Sequence, residues 1–219
     1  MLFAKAPRRG KVKTRLAPPL SEDQALALHV AMLEDQIAFL RSLDGPGRAV
    51  EVCMDGAWSC DALGDTPLAR QGRGDLGARL GRAIARGCES GARRVAILGG
   101  DAPTVPAARV LEAWDLLHRA DAAVIPARDG GYVLLAARRP VPALLSGVPW
   151  GTGRVLAFTR RKAHEAGLVL AETAPWGDVD EPADLPRLAR EVRADPARAP
   201  KTADLLARWS LDAREDRVV

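Results

Sequence analysis

Aromatic side chains are scarce in this chain of 219 residues: five Trp, three Phe and one Tyr, 4% in all. So thin a supply weighs against the stacking platforms on which proteins hold single-stranded nucleic acid. Cysteine is scarcer still, at Cys53, Cys60 and Cys88. An odd number without C-x-x-C spacing excludes a disulfide frame and a thiolate zinc site, and reads as reduced thiols of a cytoplasmic protein. No apolar run is long enough to span a bilayer and no secretory leader is visible, so no membrane partner is expected. There is no P-loop, no G-x-S-x-G and no His pair at metal-ligating spacing. His29, His118 and His164 fall on expected helices without a Ser or Cys nucleophile context. Nor is positive charge massed: the net charge is +4, and the arginines are scattered rather than collected on one segment. That pattern suits small anionic ligands and argues against nucleic acid as a partner.

What the chain does have is a basic opening. Residues 3–18 read F-A-K-A-P-R-R-G-K-V-K-T-R-L-A-P, with six cations at Lys5, Arg8, Arg9, Lys11, Lys13 and Arg15. Pro7 and Gly10 keep this stretch irregular, so the cations project from a loop ahead of the first helix. Such a loop grips a polyphosphate through Lys and Arg charge and the positive end of the helix dipole, or it is a solvated basic turn. Arg8, Arg9 and Lys11, around the bend at Gly10, are the cations assigned to solvent.

Ser21, followed by Glu22, Asp23 and Gln24, forms a capping box. Apolar residues at Leu26, Val30, Leu33, Ile37 and Leu40 then predict an amphipathic helix ending near Leu43, stopped by D-G-P-G at 44–47. Strands are predicted at 49–54, 94–98, 122–126, 132–137 and 168–171. Helices are predicted after Asp75 (with Leu76, Leu80 and Ile84 on one face), after Pro106, after Gly153, after Pro182, and at 201–209. Residues 55–66 read as loop, and no clear strand precedes the glycine-rich turn Q-G-R-G-D-L-G at 71–77. Strand and helix alternation of this kind gives an α/β layered fold with a mainly parallel sheet. A single domain over 1–211 with a charged tail at 212–219 is expected.

Two carboxylates stand out. Asp101 follows the apolar strand 94–98 in G-G-D-A-P, where ligands of open α/β sheets bind. Asp180 lies in D-V-D-E-P at 178–182. Together they make a site for a hard divalent cation, with nucleotide phosphates completing its shell. The structural alternatives are an Asx-turn at Asp101 and a helix cap at Asp180. Asp129, Gly130, Gly131 and Tyr132 form a tight turn whose acid and backbone are open to a substrate. Trp150 and Thr152 are candidates to line an acceptor pocket, with Trp burial the alternative.

Taken in order, F-A-K-A-P-x-x-G-x-V-K-T-R-L-A-P, Q-G-x-G-D-L-G-x-R, L-G-G-D-A-P, D-G-G-Y, P-W-x-T and D-V-D-E-P-x-D-L resemble the bacterial DUF2064 proteins. These are also called rSAM/selenodomain-associated transferase 1 and are assigned as glycosyltransferases. The resemblance covers nearly the whole chain, from Phe3 to about Trp209. It implies the GT-A fold of the nucleotide-diphospho-sugar transferases, Rossmann-like and three-layered, with a mainly parallel mixed sheet. The family is similar to the guanylyltransferase that activates 2-phospho-lactate, which shares the K-[ST]-R-L-A loop. Carried onto this sequence, the resemblance implies that Lys5, Ala6, Pro7, Lys13 and Arg15 hold nucleotide phosphates, with Lys13, Arg15 and Asp101 in catalytic roles. Gln71, Gly72, Gly74 and Asp75 would lie near the base or ribose. Asp101 and Asp180 would bind Mg²⁺ or Mn²⁺, and Asp129, Gly130, Gly131, Tyr132, Trp150 and Thr152 would face the acceptor. Three departures stand out: the first strand is cut to residues 1–4, Thr104 takes the place of a usual acid, and Gly100 that of a usual Ser or Thr.

The expected partners are therefore a nucleotide, NTP or NDP-sugar, and a small-molecule acceptor. Nucleotidyl transfer, in which an anionic acceptor attacks the α-phosphorus of an NTP and pyrophosphate leaves, is preferred because the opening loop suits a triphosphate. Glycosyl transfer from an NDP-sugar and non-catalytic nucleotide binding are the alternatives.

Overall fold

The computed structural model describes residues 1–209, so the charged tail expected at 212–219 lies outside the described residues. The fold is mixed α/β, with seven strands contributing to its sheet and seven α-helices among the described residues. Contacts group the chain into two compact units. The N-terminal unit holds Leu2–Pro67, Gly100–Val105 and the chain from Asp178 on; the central unit holds Met1, Leu68–Gly99 and Pro106–Gly177.

In the N-terminal unit, β1 (Leu2–Ala4) pairs parallel with β2 (Val52–Met54), in the register Leu2↔Val52 to Ala4↔Met54. The expected strand at 49–54 is thus trimmed to its apolar end. α1 (Glu22–Ser42) starts at Ser21, whose hydroxyl accepts the Gln24 N–H while the Gln24 side chain accepts the Ser21 N–H. The expected stripe is only part of what α1 buries. Leu33, Ile37 and Leu40 are buried, but so are Leu28 and Met32, whereas Leu26 and Val30 are half-buried. The reason is a second packing face. Leu28 and Met32 share a core with Leu16, Leu20, Val179, Leu185, Leu188 and Leu206. The last three come from α6 (Leu185–Ala194) and α7 (Pro200–Arg208). Burying a Leu or Met side chain stabilises by about 1.5–3 kcal/mol. This cluster therefore fastens the basic loop (Leu16) and the acidic segment (Val179) to the same helices.

In the central unit, β5 (Ala122–Pro126) and β6 (Tyr132–Ala137) run antiparallel, as the Gly130-Gly131 turn between them suggests. β6 is also antiparallel to β4 (Val95–Gly99), while β5 is parallel to β7 (Leu170–Glu172). So β4, β5 and β7 share one direction and β6 alone reverses. Every residue of β5 is buried, in keeping with the continuous apolar run of a sheet covered on both faces. β3 (Leu68–Arg70) directly precedes the glycine-rich turn, where the sequence pattern shows no clear strand. α2 (Leu76–Glu89) buries Leu80 and Ile84, but Leu76 in its first turn is 40% exposed. A short helix not anticipated from sequence, α4 (Pro142–Leu145), and α3 (Ala107–Leu116) and α5 (Val155–Glu165) complete the unit.

Candidate active site

Three stretches of the N-terminal unit converge on one ammonium group. Val12 and Leu16 are buried and anchor the basic loop at both sides of Lys13. Lys13 itself has φ 49° and ψ 32°, the left-handed conformation, and is the one non-glycine residue with positive φ among the described residues. It precedes a single 3-10 turn, Thr14–Leu16. The Lys13 side chain is 3% exposed. Its Nζ donates to Asp101 Oδ1, to the Val179 carbonyl at 2.6 Å and to Asp180 Oδ1 at 3.1 Å. Burial works against the charged form, but the Asp101 and Asp180 carboxylates outweigh it and hold the Lys13 pKa above the usual lysine value. Burial likewise pushes Asp101 up, and Lys13 reverses that, leaving its carboxyl below the usual range. Lys13 and Asp101 therefore hold each other in their charged forms.

The Asp101 carbonyl accepts Val179 N–H at 2.8 Å, tying the two acidic stretches together. Asp180 does not cap the following helix. Glu181 does, in a reciprocal box with Asp184, over the 3-10 turn Pro182–Asp184 that leads into α6. Asp184 Oδ2 accepts the N–H groups of both Asp180 and Glu181, at 3.0 and 2.9 Å. From Asp184 a chain of bonds runs inward. Arg187 donates to Asp184 Oδ1 and to Glu191 Oε1, both at 3.1 Å. Thr104, 1% exposed, donates to Glu191 Oε2 at 2.5 Å. The loop carrying Asp101 and the loop carrying Asp180 are thus joined by one half-buried polar relay.

The other cations of the opening loop divide as follows. Arg15 is exposed and ion-paired with exposed Glu181 at the rim. Arg9 pairs with Asp23 at 2.6 Å on the outer face of α1, and Arg8 and Lys11 are exposed. Lys5 is exposed, and its carbonyl accepts from His29 Nε2 at 3.0 Å. His29 is buried, and burial lowers its pKa, so the neutral ring with its proton on Nε2 fits this contact. The Ala6 N–H is taken by Asp55 Oδ1 at 2.8 Å, and Pro7 is half-buried beside it.

The remaining candidates belong to the central unit. Gly72 and Gly74 have φ of 80° and 100°, conformations that glycine adopts freely. Arg79 Nε donates to the Gly74 carbonyl at 2.9 Å, and Arg82 donates to the carbonyls of Gln71, at 3.1 Å, and of Arg73. Gln71 is buried. Asp75 caps α2, accepting Ala78 N–H at 2.8 Å. Asp129 Oδ1 accepts Gly131 N–H at 2.8 Å, and Gly130 packs so closely on Gly153 that a Cβ would overlap its carbonyl. The Gly130 carbonyl accepts Leu156 N–H at 2.8 Å. Thr152 donates to the Pro149 carbonyl at 2.8 Å, and Tyr132 and Trp150 meet edge to face with centroids 6.2 Å apart. The structure therefore brings these six residues into one cluster, stiffened by their own hydrogen bonds.

Sequence reasoning missed His29, the Val179 carbonyl and the relay through Asp184, Arg187 and Glu191. The E-P-A-D run at 181–184 carried a signal for Asp184, because an acid three residues after a polar cap is a capping-box pattern. Nothing local marked the others.

Asp101, Asp180 and the Val179 carbonyl are the groups here that could take a hard cation. Asp101 Oδ1, Asp180 Oδ1 and the Val179 carbonyl already surround one positive nitrogen, and an all-oxygen donor set suits Mg²⁺ or Mn²⁺ rather than zinc. Among the described residues no group of three or more His, Cys, Asp and Glu side chains is placed to hold a metal, so further ligands must come from phosphate or water. No helix among the described residues is long and apolar enough to cross a membrane.

The family described as "Uncharacterized protein conserved in bacteria (DUF2064)" matches residues 41–152. The chain is 30% identical over 209 residues to 2-phospho-L-lactate guanylyltransferase from Halorubrum lacusprofundi, covering 92% of this chain and 87% of that protein. A crystal structure from Desulfovibrio desulfuricans G20, provisionally named a nucleotide-diphospho-sugar transferase, superposes with a TM-score of 0.84 at 32% identity, over 94% of this chain and 93% of that one. A cytidylyltransferase from Leptospira borgpetersenii superposes with a TM-score of 0.54 at 13% identity, over 94% and 91% of the two chains; that match speaks for the fold alone.

Proposed function

Because the chain belongs to the DUF2064 family of bacterial proteins, we propose that this transferase is a nucleotidyltransferase, joining an NTP to a small phosphorylated or other anionic acceptor with release of pyrophosphate. The observation that carries the choice is the near full-length likeness to a guanylyltransferase. The site of Lys13, Asp101 and Asp180 is the chemistry such a likeness needs. In the reaction an acceptor oxygen forms a bond to the α-phosphorus, the bond from that phosphorus to the bridging oxygen breaks, and pyrophosphate carries away the electron pair. Catalysis of this kind is mainly positioning and charge stabilisation.

Asp101, Asp180 and the Val179 carbonyl would hold a divalent ion, which when bound neutralises phosphate charge. Arg15 at the rim and Lys5 at the start of the opening loop would receive phosphate oxygens; both are exposed. Ala6 and Pro7 shape that loop, and their part is to set the Lys5 backbone. In the central unit the paired carbonyls of the glycine-rich turn leave its main chain fixed, suiting Gln71, Gly72 and Gly74 to nucleoside contact, with Asp75 fixing the helix behind them. The cluster of Asp129, Gly130, Gly131, Tyr132, Trp150 and Thr152 is rigid enough to select an acceptor. Residues 1–211 would act as one transferase domain.

The decisive assay incubates the protein with each NTP, Mg²⁺ and a panel of small phosphorylated acids and measures pyrophosphate. Acceptor-dependent pyrophosphate release from one NTP supports the reading. Glycosyl transfer is the second reading, favoured by the name of the D. desulfuricans structure. Release of NDP from an NDP-sugar, without pyrophosphate from any NTP, would establish it instead.

A further inference from the structure

We propose that Lys13 is the resident counter-cation of the Asp101–Asp180 pair, and that a divalent ion and the Lys13 ammonium take turns on the same oxygens. The inference rests on the metal-dependent reading above and specifies how that site is loaded. An ammonium has three N–H donors, and here all three are used, on Asp101, Val179 and Asp180. Lys13 as it stands has no donor left for a phosphate. The same three oxygens are first-choice ligands of a hard cation. With the ammonium in place, two carboxylates and one cation leave a single net negative charge, a poor site for a dication; without it the full double charge is available. The access also favours exchange. The Asp101 and Asp180 side chains are 46% and 44% exposed, whereas Lys13 is 3% exposed. An incoming ion therefore meets the carboxylates from solvent while the ammonium lies behind them.

The backbone fits a part that moves. A left-handed φ at a lysine is held only where its surroundings over-determine it, and such conformations gather at switch regions. The Nζ contacts are part of what holds it. Once an ion takes over the oxygens, the four-carbon stem carries the ammonium outward, where nucleotide phosphate is the new partner. Metal and nucleotide then load the site as a pair, each removing the cost of the other.

Mn²⁺ binding without nucleotide, read from the free-ion paramagnetic resonance signal, tests the exchange. Lys13→Met should bind Mn²⁺ on the order of tenfold more tightly than the wild type, within the usual range of coupling between sites. Equal or weaker binding by Lys13→Met overturns the proposal. A second measurement uses the unaltered chain. Acetylation of Lys13 by acetic anhydride, followed by mass spectrometry, should be low without metal, rise with Mn²⁺ alone, and fall again when NTP is added. No rise with Mn²⁺ overturns the proposal whatever the variant does. Failure here is separable from failure of the nucleotidyl reading. Tighter Mn²⁺ binding by Lys13→Met without any pyrophosphate release keeps the exchange and removes only that reaction. Mn²⁺-dependent pyrophosphate release with unchanged affinity in Lys13→Met does the reverse.

Discussion

Asp35 accepts the backbone N–H of Thr202 at 2.8 Å across 167 positions of sequence. Its other oxygen takes the N–H of Lys201 at 3.0 Å. α7 has Ala199 at its cap position and Pro200 at its first turn, so no side chain of its own satisfies those donors. A carboxylate from α1 does the capping instead. Asp35→Ala should cost about 1–3 kcal/mol, as expected for stranding donors at a buried helix end. Urea unfolding monitored by circular dichroism would measure it, and a loss below about 0.5 kcal/mol would contradict the assignment.

A second prediction concerns acid. Asp121 is buried, accepts Val169 N–H at 3.0 Å and is gripped by Arg138 at 2.6 Å and Arg139 at 3.1 Å. The Val169 bond, then Arg138, hold its pKa down to about 2. Its unfolded value is near 3.9. With the folded pKa depressed, the contribution is fully present above about pH 4 and is lost as pH falls towards 2. The urea midpoint of the wild type should therefore drop through that window, and Asp121→Asn should start lower and show a shallower slope.

Removing either carboxylate of the triad should abolish metal-assisted binding. In Asp101→Asn and Asp180→Asn, the rise in melting temperature produced by NTP with Mg²⁺ over NTP alone should vanish, because ligand stabilisation follows affinity. Persistence of that increment in both variants would remove the metal assignment.

The relay from Thr104 predicts the effect of placing an acid there. Thr104→Asp would set an acid against Glu191, whose nearer oxygen now accepts the Thr104 hydroxyl. Two carboxylates that close cannot both ionise, and the loss should be about 2 kcal/mol. Adding Glu191→Gln to the same chain should recover most of it. A double-mutant cycle on melting would show the coupling, and additive losses would refute it.

These sites also show what sequence could and could not disclose. The start of α1 was legible because Ser21 and Gln24 are local to it, and the turn at Gly130 because its backbone needs φ of 90°. β3 was not, since Leu-Ala-Arg offers neither alternation nor a β-branched residue. Leu76 was assigned to the inner face by periodicity, but it stands in the first turn, next to the cap, where half the circumference faces water. The α/β class and a mainly parallel sheet followed from alternation; which strand reverses did not, because direction is a property of pairing. Within the candidate site, the types and order of Lys13, Asp101 and Asp180 were readable. That the ammonium points inward to the acids was not, for Lys13 and Asp101 are 88 positions apart and meet through tertiary packing that no local pattern records.

The two bonds accepted by Asp184 have a consequence for how the acidic stretch can change over evolutionary time. Asp180 and Asp184 are interchangeable in chemistry but not in employment: Asp184 serves the fold and thereby leaves the Asp180 carboxylate to the Lys13 ammonium. A lineage that lost the acid at 184 would be drawn to use 180 as its cap and would give up the charge that faces solvent. The two positions should therefore drift together or not at all. A substitution that looks remote from the reaction would then be as restricted as the acid it relieves.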